Sequence, residues 1–185
     1  MAEVEKVIPW DNRSPYLYEA FIEVYENGQL AEVVFYRVGF RRLEIIDKVM
    51  YLNGKRLILT GVNRHEWNAK TGRVIGMDDM KCVKRNNINA VRTCHYPDQI
   101  PWYYMCDEEG IYLMSETNLE SHGSFQKLGA IEPSCNVPGS IPQWKEAVID
   151  RARNNFETFK NHTSVLFWSL GNESYAGDNI EAMNQ

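Results

Sequence analysis

Polar and ionisable side chains gather at four places in the sequence, each shortly after a strand-like run. These runs are residues 57–61, 88–92, 111–114 and 165–168. The residues that follow them include types used in acid–base chemistry and metal binding, namely His65, His95, Glu120, His122, Asn172 and Glu173. Three of the four histidines lie at these places, whereas His162 precedes the last run and is expected to be structural.

Segments with helical character separate the runs. A helix is predicted from Asp78, which can cap its N-terminus, and another over residues 101–109, ended by Gly110. A third is predicted after Ser140 as its cap, and a fourth begins near Asp178. Short apolar strands alternating with helices indicate a parallel sheet covered by helices. Four such units fit either a small doubly wound fold or half of a (β/α)8 barrel, in which active-site residues lie at the carboxyl ends of the strands.

The first fifty residues show a different pattern, rich in aromatic and β-branched residues. Strands are predicted over 16–25, 32–38 and 43–49, with a hairpin turn at Asn27 and Gly28, since both positions tolerate positive φ. Two or three antiparallel strands cannot cover their own apolar face. The segment is therefore predicted to be the end of a β-sandwich whose beginning lies outside this chain.

Composition excludes several classes of protein. A net charge of −5 with no basic patch argues against nucleic-acid binding, and no run of about 18 apolar residues could span a membrane. The N-terminus has no apolar leader, so a cytoplasmic location is expected. Cys82, Cys94, Cys106 and Cys135 show no metal or redox spacing and are expected to be free thiols. A complete barrel needs about 250 residues, more than the 185 present.

Long, ordered motifs resemble those of glycoside hydrolase family 2. The segment NAVRTCHYP at residues 89–97 resembles one signature of that family, and KNHTSVLFWSLGNES at 160–174 resembles its acid/base signature. NLESHG at 118–123 together with GNES at 171–174 resembles the β-galactosidase branch rather than the β-glucuronidase branch.

The resemblance implies a fold and a division into domains. The fold class is α/β, a partial (β/α)8 TIM barrel of about four βα units. Residues 51–185 would form this N-terminal half of the catalytic barrel. Residues 1–50 would form the C-terminal strands of an immunoglobulin-like β-sandwich that precedes it.

The resemblance also implies roles for single residues. Glu173 matches the general acid/base carboxylate, and Asn172 matches the amide that hydrogen-bonds the sugar 2-hydroxyl. A proton-holding acid needs a raised pKa, which burial or a second carboxylate can supply. His65 and His95 match histidines that line the sugar pocket. Structural alternatives stay open for all four, a helix cap for the Asn-Glu pair and packed side chains for the histidines.

A metal site follows from the same resemblance. Glu120, His122 and Glu173 match the magnesium ligands of the family. Residues i and i+2 of an extended segment point to the same side, so the spacing of Glu120 and His122 suits a shared ion. Mg²⁺ prefers oxygen ligands, and spacing alone leaves manganese or zinc open. Without the resemblance, a surface glutamate and a hydrogen-bonded histidine that bind no metal would be the favoured interpretation. Arg64 and Arg92 lie where arginines at the barrel mouth orient a carboxylate nucleophile, with simple salt bridges as the alternative.

Several positions depart from the family pattern. Ser115 replaces an Asp, Thr163 a Pro, and Cys94 a Ser, and Tyr-Ala-Gly at 175–177 replaces Gly-His-Gly. None of these changes removes a role that the resemblance implies. Trp168 is expected to pack in the core at the end of its strand.

The expected reaction needs more than this chain provides. Retaining hydrolysis uses two carboxylates about 5–5.5 Å apart, and in the family the nucleophile follows the seventh strand. The chain stops after the fourth, and Glu66, Glu116 and Glu120 are not convincing substitutes. We therefore expect the parent enzyme to hydrolyse terminal β-D-galactosides with Glu173 as acid/base and Mg²⁺ as cofactor, and the isolated chain to be inactive.

Two other hypotheses remain open. The chain could be a non-catalytic carbohydrate- or metal-binding or assembly module, because half a barrel exposes strand edges and apolar faces. Such surfaces favour self-association or pairing with the missing half barrel. A metal-dependent hydrolase could instead use Glu120, His122 and Glu173 around an activated water.

Overall fold

The computed structural model describes residues 4–73, 76–124 and 136–185. Cys135, predicted to be a free thiol, lies outside the described residues. The described strands form three separate sheets: a two-stranded hairpin, a three-stranded meander and a four-stranded parallel sheet.

The hairpin forms at the predicted turn. β1 (Tyr18–Glu26) pairs antiparallel with β2 (Gln29–Val38). Asn27 and Gly28 have positive φ, 51° and 79°, as a tight hairpin turn requires. Many of its apolar side chains are exposed, among them Phe21, Ile22, Val24, Tyr25, Leu30, Val33 and Phe35.

The meander consists of β3 (Leu43–Ile46), β4 (Val49–Leu52) and β5 (Lys55–Arg56). A single strand was expected over 43–49, but a turn at Asp47 and Lys48, both with positive φ, divides it. This turn contains no glycine, so it lacks the usual hairpin signal. The meander crosses the predicted boundary between residues 50 and 51, and the division into two domains stays a prediction.

The parallel sheet consists of β6 (Gly61–Arg64), β7 (Ala90–Thr93), β8 (Tyr112–Glu116) and β9 (Val165–Ser169). The strands are hydrogen-bonded in chain order. A doubly wound sheet reverses its order at a switch point, whereas a barrel adds each strand beside the last. The order therefore selects the partial barrel, and this predicted fold class is confirmed.

Four helices accompany the described strands: α1 (Met77–Arg85), α2 (Ile100–Glu109), α3 (Lys145–Phe159) and α4 (Asp178–Met183). Gly110 ends α2 in the left-handed region with φ 71°, as predicted. In the part of the chain that the structure describes, no helix has the length and apolar content needed to cross a membrane.

Two predicted helix caps are wrong. Asp78 lies in the first turn of α1, whose N-cap is Gly76, and its side chain makes no cap hydrogen bond. Ser140 does not cap α3, because a 3-10 turn (Pro142–Trp144) precedes that helix. The Ser140 hydroxyl instead accepts a hydrogen bond from the backbone N–H of Asp178 at 3.2 Å, at the start of α4.

The core lies on both faces of the parallel sheet. Towards the helices, the largest cluster contains Met80, Val83, Val91, Trp102, Tyr103, Cys106, Ile111, Leu113, Phe159 and Val165. On the inner face, near the amino ends of the strands, Tyr112 and Leu166 pack with Trp10 and Leu52. A third cluster of Leu119, Val148 and Met183 packs α3 and α4 together.

Residues that precede the barrel are bonded to its amino-terminal side. The indole Nε1 of Trp10 donates to the carbonyl of Asp107 at 2.8 Å. The backbone N–H of Gly39 donates to Oγ1 of Thr163 at 2.9 Å. Thr163, which stands where the family pattern has a proline, thus supplies a hydroxyl that joins the two parts of the chain.

Candidate active site

The structure places all six predicted site residues at the carboxyl edge of the parallel sheet. His65 follows β6 directly, and His95 and Asn172 lie two and three residues beyond β7 and β9. The loops after β8 and β9 are joined, because the N–H of Asn172 donates to the carbonyl of Leu119 at 2.8 Å. The predicted residues therefore meet, while their roles stay predictions.

Glu116, the last residue of β8, lies at the centre of this edge with a fully buried side chain. Its Oε2 accepts hydrogen bonds from Nε of Arg92 at 2.5 Å and from Oγ of Ser169 at 2.6 Å. Its Oε1 lies 2.6 Å from Nδ1 of His95. One carboxylate thus fixes side chains from β7, from the loop after β7 and from β9.

Asn172 connects this buried carboxylate to the exposed part of the site. Its Oδ1 accepts a hydrogen bond from Nη2 of Arg92 at 2.9 Å, and its Nδ2 donates to Oε1 of Glu120 at 2.9 Å. The amide oxygen keeps a second lone pair and the amide nitrogen a second proton. Asn172 is therefore oriented by the protein and still able to bind a ligand hydroxyl.

Glu120, His122 and Glu173 form the exposed part, with their ligand atoms within 4.8 Å of one another. Nδ1 of His122 lies 3.4 Å from Oε1 of Glu120 and 3.5 Å from Oε2 of Glu173. Two carboxylates and one imidazole that face solvent fit a Mg²⁺ ion that keeps several waters. The arrangement suits the predicted ligand set.

Glu173 itself is 64% exposed in its side chain. Burial, one of the two means expected to help it hold a proton, is thus not provided by the described residues. The carboxylate of Glu120 lies within 4.8 Å of the carboxylate of Glu173. The backbone of Glu173 has φ 38°, and such conformations of non-glycine residues cluster at functional sites.

His65 and His95 lie beside each other, with ring centroids 5.4 Å apart and nearly perpendicular planes. Cys94 is buried below them, and its Sγ lies within 4.8 Å of a ring nitrogen of each. Burial raises the pKa of the Cys94 thiol above its ordinary value. Cys94 is therefore a neutral thiol near pH 7.

A cavity of about 390 Å³ adjoins the side chain of His95. Its walls include His95, Tyr96, Glu120 and Trp144. Aromatic surface combined with a few polar groups is the usual lining of a small-molecule site. Of the six predicted site residues, His95 and Glu120 line the cavity, so a ligand bound there would contact these two.

The two arginines that were expected at the barrel mouth behave differently. Arg92 reaches the site through Glu116 and Asn172. Arg64 instead pairs with Asp98 at 2.6 Å and Asp79 at 2.9 Å on the helix side, so the salt-bridge interpretation holds for it. Burial is the largest cause that raises the pKa of Asp98 to about 7, and the charge of Arg64 opposes it.

Two further expectations concern residues away from the edge. His162 is buried, and its Nδ1 lies 2.7 Å from Oδ2 of Asp107, which confirms its structural role. Trp168 was expected in the core, and this is wrong for the described residues. The residue is 38% exposed, and its ring packs against Phe156 with centroids 5.1 Å apart.

Sequence reasoning missed the importance of Glu116, which it considered only as a substitute nucleophile. A signal was present, because alternation along β8 places Tyr112, Met114 and Glu116 on the same inward face. An ionised carboxylate at a buried position needs partners. Arg92, which lies on the inward face of β7, was the available candidate.

The fold and the site together define a class, the TIM-barrel enzymes whose polar residues converge at the carboxyl edge of the strands. Residues 43–185 match the family model for the TIM barrel domain of the glycosyl hydrolases family 2, and residues 2–41 match a second model of that family. The chain belongs to glycoside hydrolase family 2.

Curated relatives agree with this assignment. The chain is 68% identical to the beta-galactosidase large subunit of Lactobacillus acidophilus and 69% identical to that of Lactobacillus helveticus, with 98% of the chain and 30% of each relative covered. It is 56% identical to the beta-galactosidase of Streptococcus thermophilus, covering 96% of the chain and 18% of that protein. The chain thus spans at most about a third of the length of these relatives.

Solved structures show the same fold. A β-glucuronidase from Ruminococcus gnavus in complex with uronic deoxynojirimycin superimposes with a TM-score of 0.79 at 27% identity. The match covers 96% of this chain and 30% of that one. The chain is therefore similar to one part of a larger family 2 enzyme.

Proposed function

We propose that this chain forms the acid/base half of a retaining β-galactosidase. The observation that carries the proposal is the position of Asn172 and Glu173 after β9, with Asn172 held by Arg92. The relatives named beta-galactosidase share 68% and 69% of residues, whereas the β-glucuronidase structure shares 27%. This difference supports a terminal β-D-galactoside as the substrate.

In the proposed reaction, Glu173 gives its proton to the glycosidic oxygen while the bond from that oxygen to the anomeric carbon breaks. The nucleophilic carboxylate from the rest of the barrel forms the glycosyl-enzyme, and Glu173 then takes a proton from the water that hydrolyses it. Asn172 binds the 2-hydroxyl, and His65 and His95 bind other sugar hydroxyls. Glu116 does not suit the role of nucleophile, because its side chain is fully buried and three side chains already bind its oxygens.

Mg²⁺ is part of the proposal, held by Glu120, His122 and Glu173. The ion would supply positive charge between the two carboxylates. The donor set and its exposure support this choice. Glu120 also accepts the hydrogen bond from Asn172, so the ligands and the sugar-binding amide are mechanically linked.

Pairing with the rest of the barrel is proposed as the means of completing the site. The inner face of the parallel sheet carries a cavity of about 250 Å³ lined by Ala90, Met114 and Phe167, among others. The apolar side chains of the hairpin are exposed as well. These surfaces also favour the second candidate, an assembly module, and sedimentation of a compact monomer at high concentration would contradict it.

We propose a cytoplasmic location because the described cysteines are free thiols. Cys82, Cys94 and Cys106 are free thiols, which is typical of reducing compartments. Enzyme found with its thiols oxidised outside the cell would contradict this part of the proposal.

The acid/base role is tested with Glu173→Gln in the assembled enzyme, meaning this chain together with the rest of its barrel. We expect kcat to fall by about 10²–10⁴, with a larger loss for lactose than for a nitrophenyl galactoside, whose leaving group needs no proton. Azide should restore turnover of the nitrophenyl substrate and give a galactosyl azide. Glu181→Gln, in α4, is the matched control.

The isolated chain is expected to release no nitrophenol from a nitrophenyl galactoside. Hydrolysis by the pure chain that is lost in Glu173→Gln would show that the nucleophile lies within these residues. Activity that is equal in wild type and Glu173→Gln, in the assembled enzyme, would remove the acid/base assignment.

A further inference from the structure

A second group of metal-binding residue types lies next to the proposed magnesium site. His65, Cys94 and His95 each offer one ligand atom, and the three atoms lie within 4.8 Å of one another. Unlike the first group, this one contains a thiol and no carboxylate. It is also less exposed, since Cys94 is 1% exposed.

The strands hold these three residues together without a bound ion. The backbone N–H of Cys94 donates to the carbonyl of Arg64 at 3.0 Å, which extends the pairing of β7 with β6. His65, which directly follows β6, therefore lies beside Cys94, and the rings of His65 and His95 touch edge to face. The three donors are therefore close enough together to approach one ion.

The surroundings of His95 match those of a metal-bound histidine. Its Nδ1 lies 2.6 Å from the buried carboxylate of Glu116. A histidine that donates one ring N–H to a carboxylate presents its other nitrogen without a proton, and the carboxylate raises its basicity as a ligand. Glu116 would thus orient His95 for a metal ion as well as for a sugar.

The donor types decide which ion the group would take. Two imidazole nitrogens and a thiol form a soft set that suits Zn²⁺, and Co²⁺ as its spectroscopic substitute, rather than Mg²⁺. We propose that His65, Cys94 and His95 form a zinc-binding site separate from the Glu120, His122 and Glu173 site. Binding would replace the thiol proton by a sulfur–zinc bond and release that proton to solvent.

The site has a consequence for catalysis that rests on the proposed function. His65 and His95 are the histidines proposed to bind sugar hydroxyls, so zinc and galactoside would compete for them. Zn²⁺ would then be a competitive inhibitor, and Mg²⁺ would not relieve the inhibition, because the two ions use different residues.

The binding test uses Co²⁺ and needs no activity. Titration of the chain should produce a near-ultraviolet sulfur-to-cobalt band, which Zn²⁺ removes. Cys94→Ser should abolish the band and weaken Zn²⁺ binding by about 100-fold or more, at least the loss seen when a residue supporting a ligand is removed. Cys82→Ser, an exposed cysteine in α1, is the matched control and should leave the band unchanged.

The outcomes separate this proposal from the proposed function. A band that persists in Cys94→Ser, that is lost in His122→Ala, or that never forms would overturn the zinc site. Co²⁺ binding by the chain together with absent galactosidase activity in the assembled enzyme would leave the zinc site standing and remove the function. In active enzyme, Cys94→Ser should raise the inhibition constant for Zn²⁺ by a similar factor, and an unchanged constant would contradict the competition.

Discussion

Glu116 and Glu120 lie four residues apart, but their side chains differ in burial and in hydrogen-bond partners. The carboxylate of Glu116 is fully buried and bonded to Arg92, His95 and Ser169. The side chain of Glu120 is 35% exposed, and its neighbour His122 is 3.4 Å away. Protein donors alone hold the first carboxylate, whereas no arginine or lysine of the described residues forms an ion pair with either carboxylate of the second group.

The difference indicates how the edge of the sheet is built. Buried charges must be paired, and removing one partner leaves an unpaired charge in a medium of low polarity. Exposed charges are screened by water and contribute little by themselves. The Glu116 group should therefore determine stability and orientation, and the Glu120 group should respond mainly to a cation.

Glu116→Ala is expected to have the largest effect, because it leaves the half-buried guanidinium of Arg92 without its carboxylate partner. We expect the free energy of unfolding to fall by about 3–5 kcal/mol, measured by urea denaturation. Glu120→Ala without Mg²⁺ is the control and should change stability by about 0.5 kcal/mol or less. Equal losses in the two variants would refute the contrast.

Asp98, a buried carboxyl group on the helix side of the sheet, tests whether burial or pairing with Arg64 has the larger effect on its pKa. Burial raises the pKa of Asp98 to about 7, so the folded protein keeps this proton where the unfolded chain has lost it. The native state then binds more protons between about pH 4 and pH 7, and stability falls as pH rises through this window. Asp98→Asn should remove this slope, and a slope equal to that of wild type would show that pairing with Arg64 prevails.

The exposed group should gain stability from its cation. At a Mg²⁺ concentration ten times the dissociation constant, we expect stabilisation of about 1.4 kcal/mol. Thermal unfolding with and without Mg²⁺ measures it, and Glu120→Gln should remove the increment. A shift that survives in this variant would place the ion elsewhere.

The smallest effect is expected at Asn172, which joins the two groups. Asn172→Ala removes hydrogen bonds to Arg92 and Glu120 and should cost about 1 kcal/mol. A double-mutant cycle with Glu120→Gln measures the coupling. Additive losses would show that the buried and exposed groups act independently.

The sequence predicted which strands and helices form better than it predicted the residues at which they begin and end. Asn27 and Gly28 marked the first hairpin because their backbone preferences are local. The run at 57–61 predicted a strand that begins only at Gly61. The N–H of Leu57 instead bonds to the carbonyl of Met50 at 2.8 Å, which continues the meander. Met50 lies only seven residues earlier, across the turn at Asn53 and Gly54, whose positive φ values are those of a tight hairpin turn.

The residues that meet in the candidate site could be predicted from the sequence, but not all of their contacts. Parallel strands bring their carboxyl ends to one edge, so the meeting of His65, His95 and Asn172 followed from the order of elements. The contact of Glu116 with Ser169 did not follow, because the two residues are 53 positions apart. Long-range hydrogen bonds of this kind depend on tertiary packing.

Trp10 has a consequence for how this protein can be divided. It is fully buried against Leu52, Tyr112 and Leu166, yet it lies outside the barrel model, which begins at residue 43. A chain trimmed to that boundary would leave a hole under two barrel strands, at a cost of about 3–5 kcal/mol for the lost tryptophan. The cooperative folding unit therefore extends beyond the segment that sequence families delimit, and expression of the barrel half needs the residues before it.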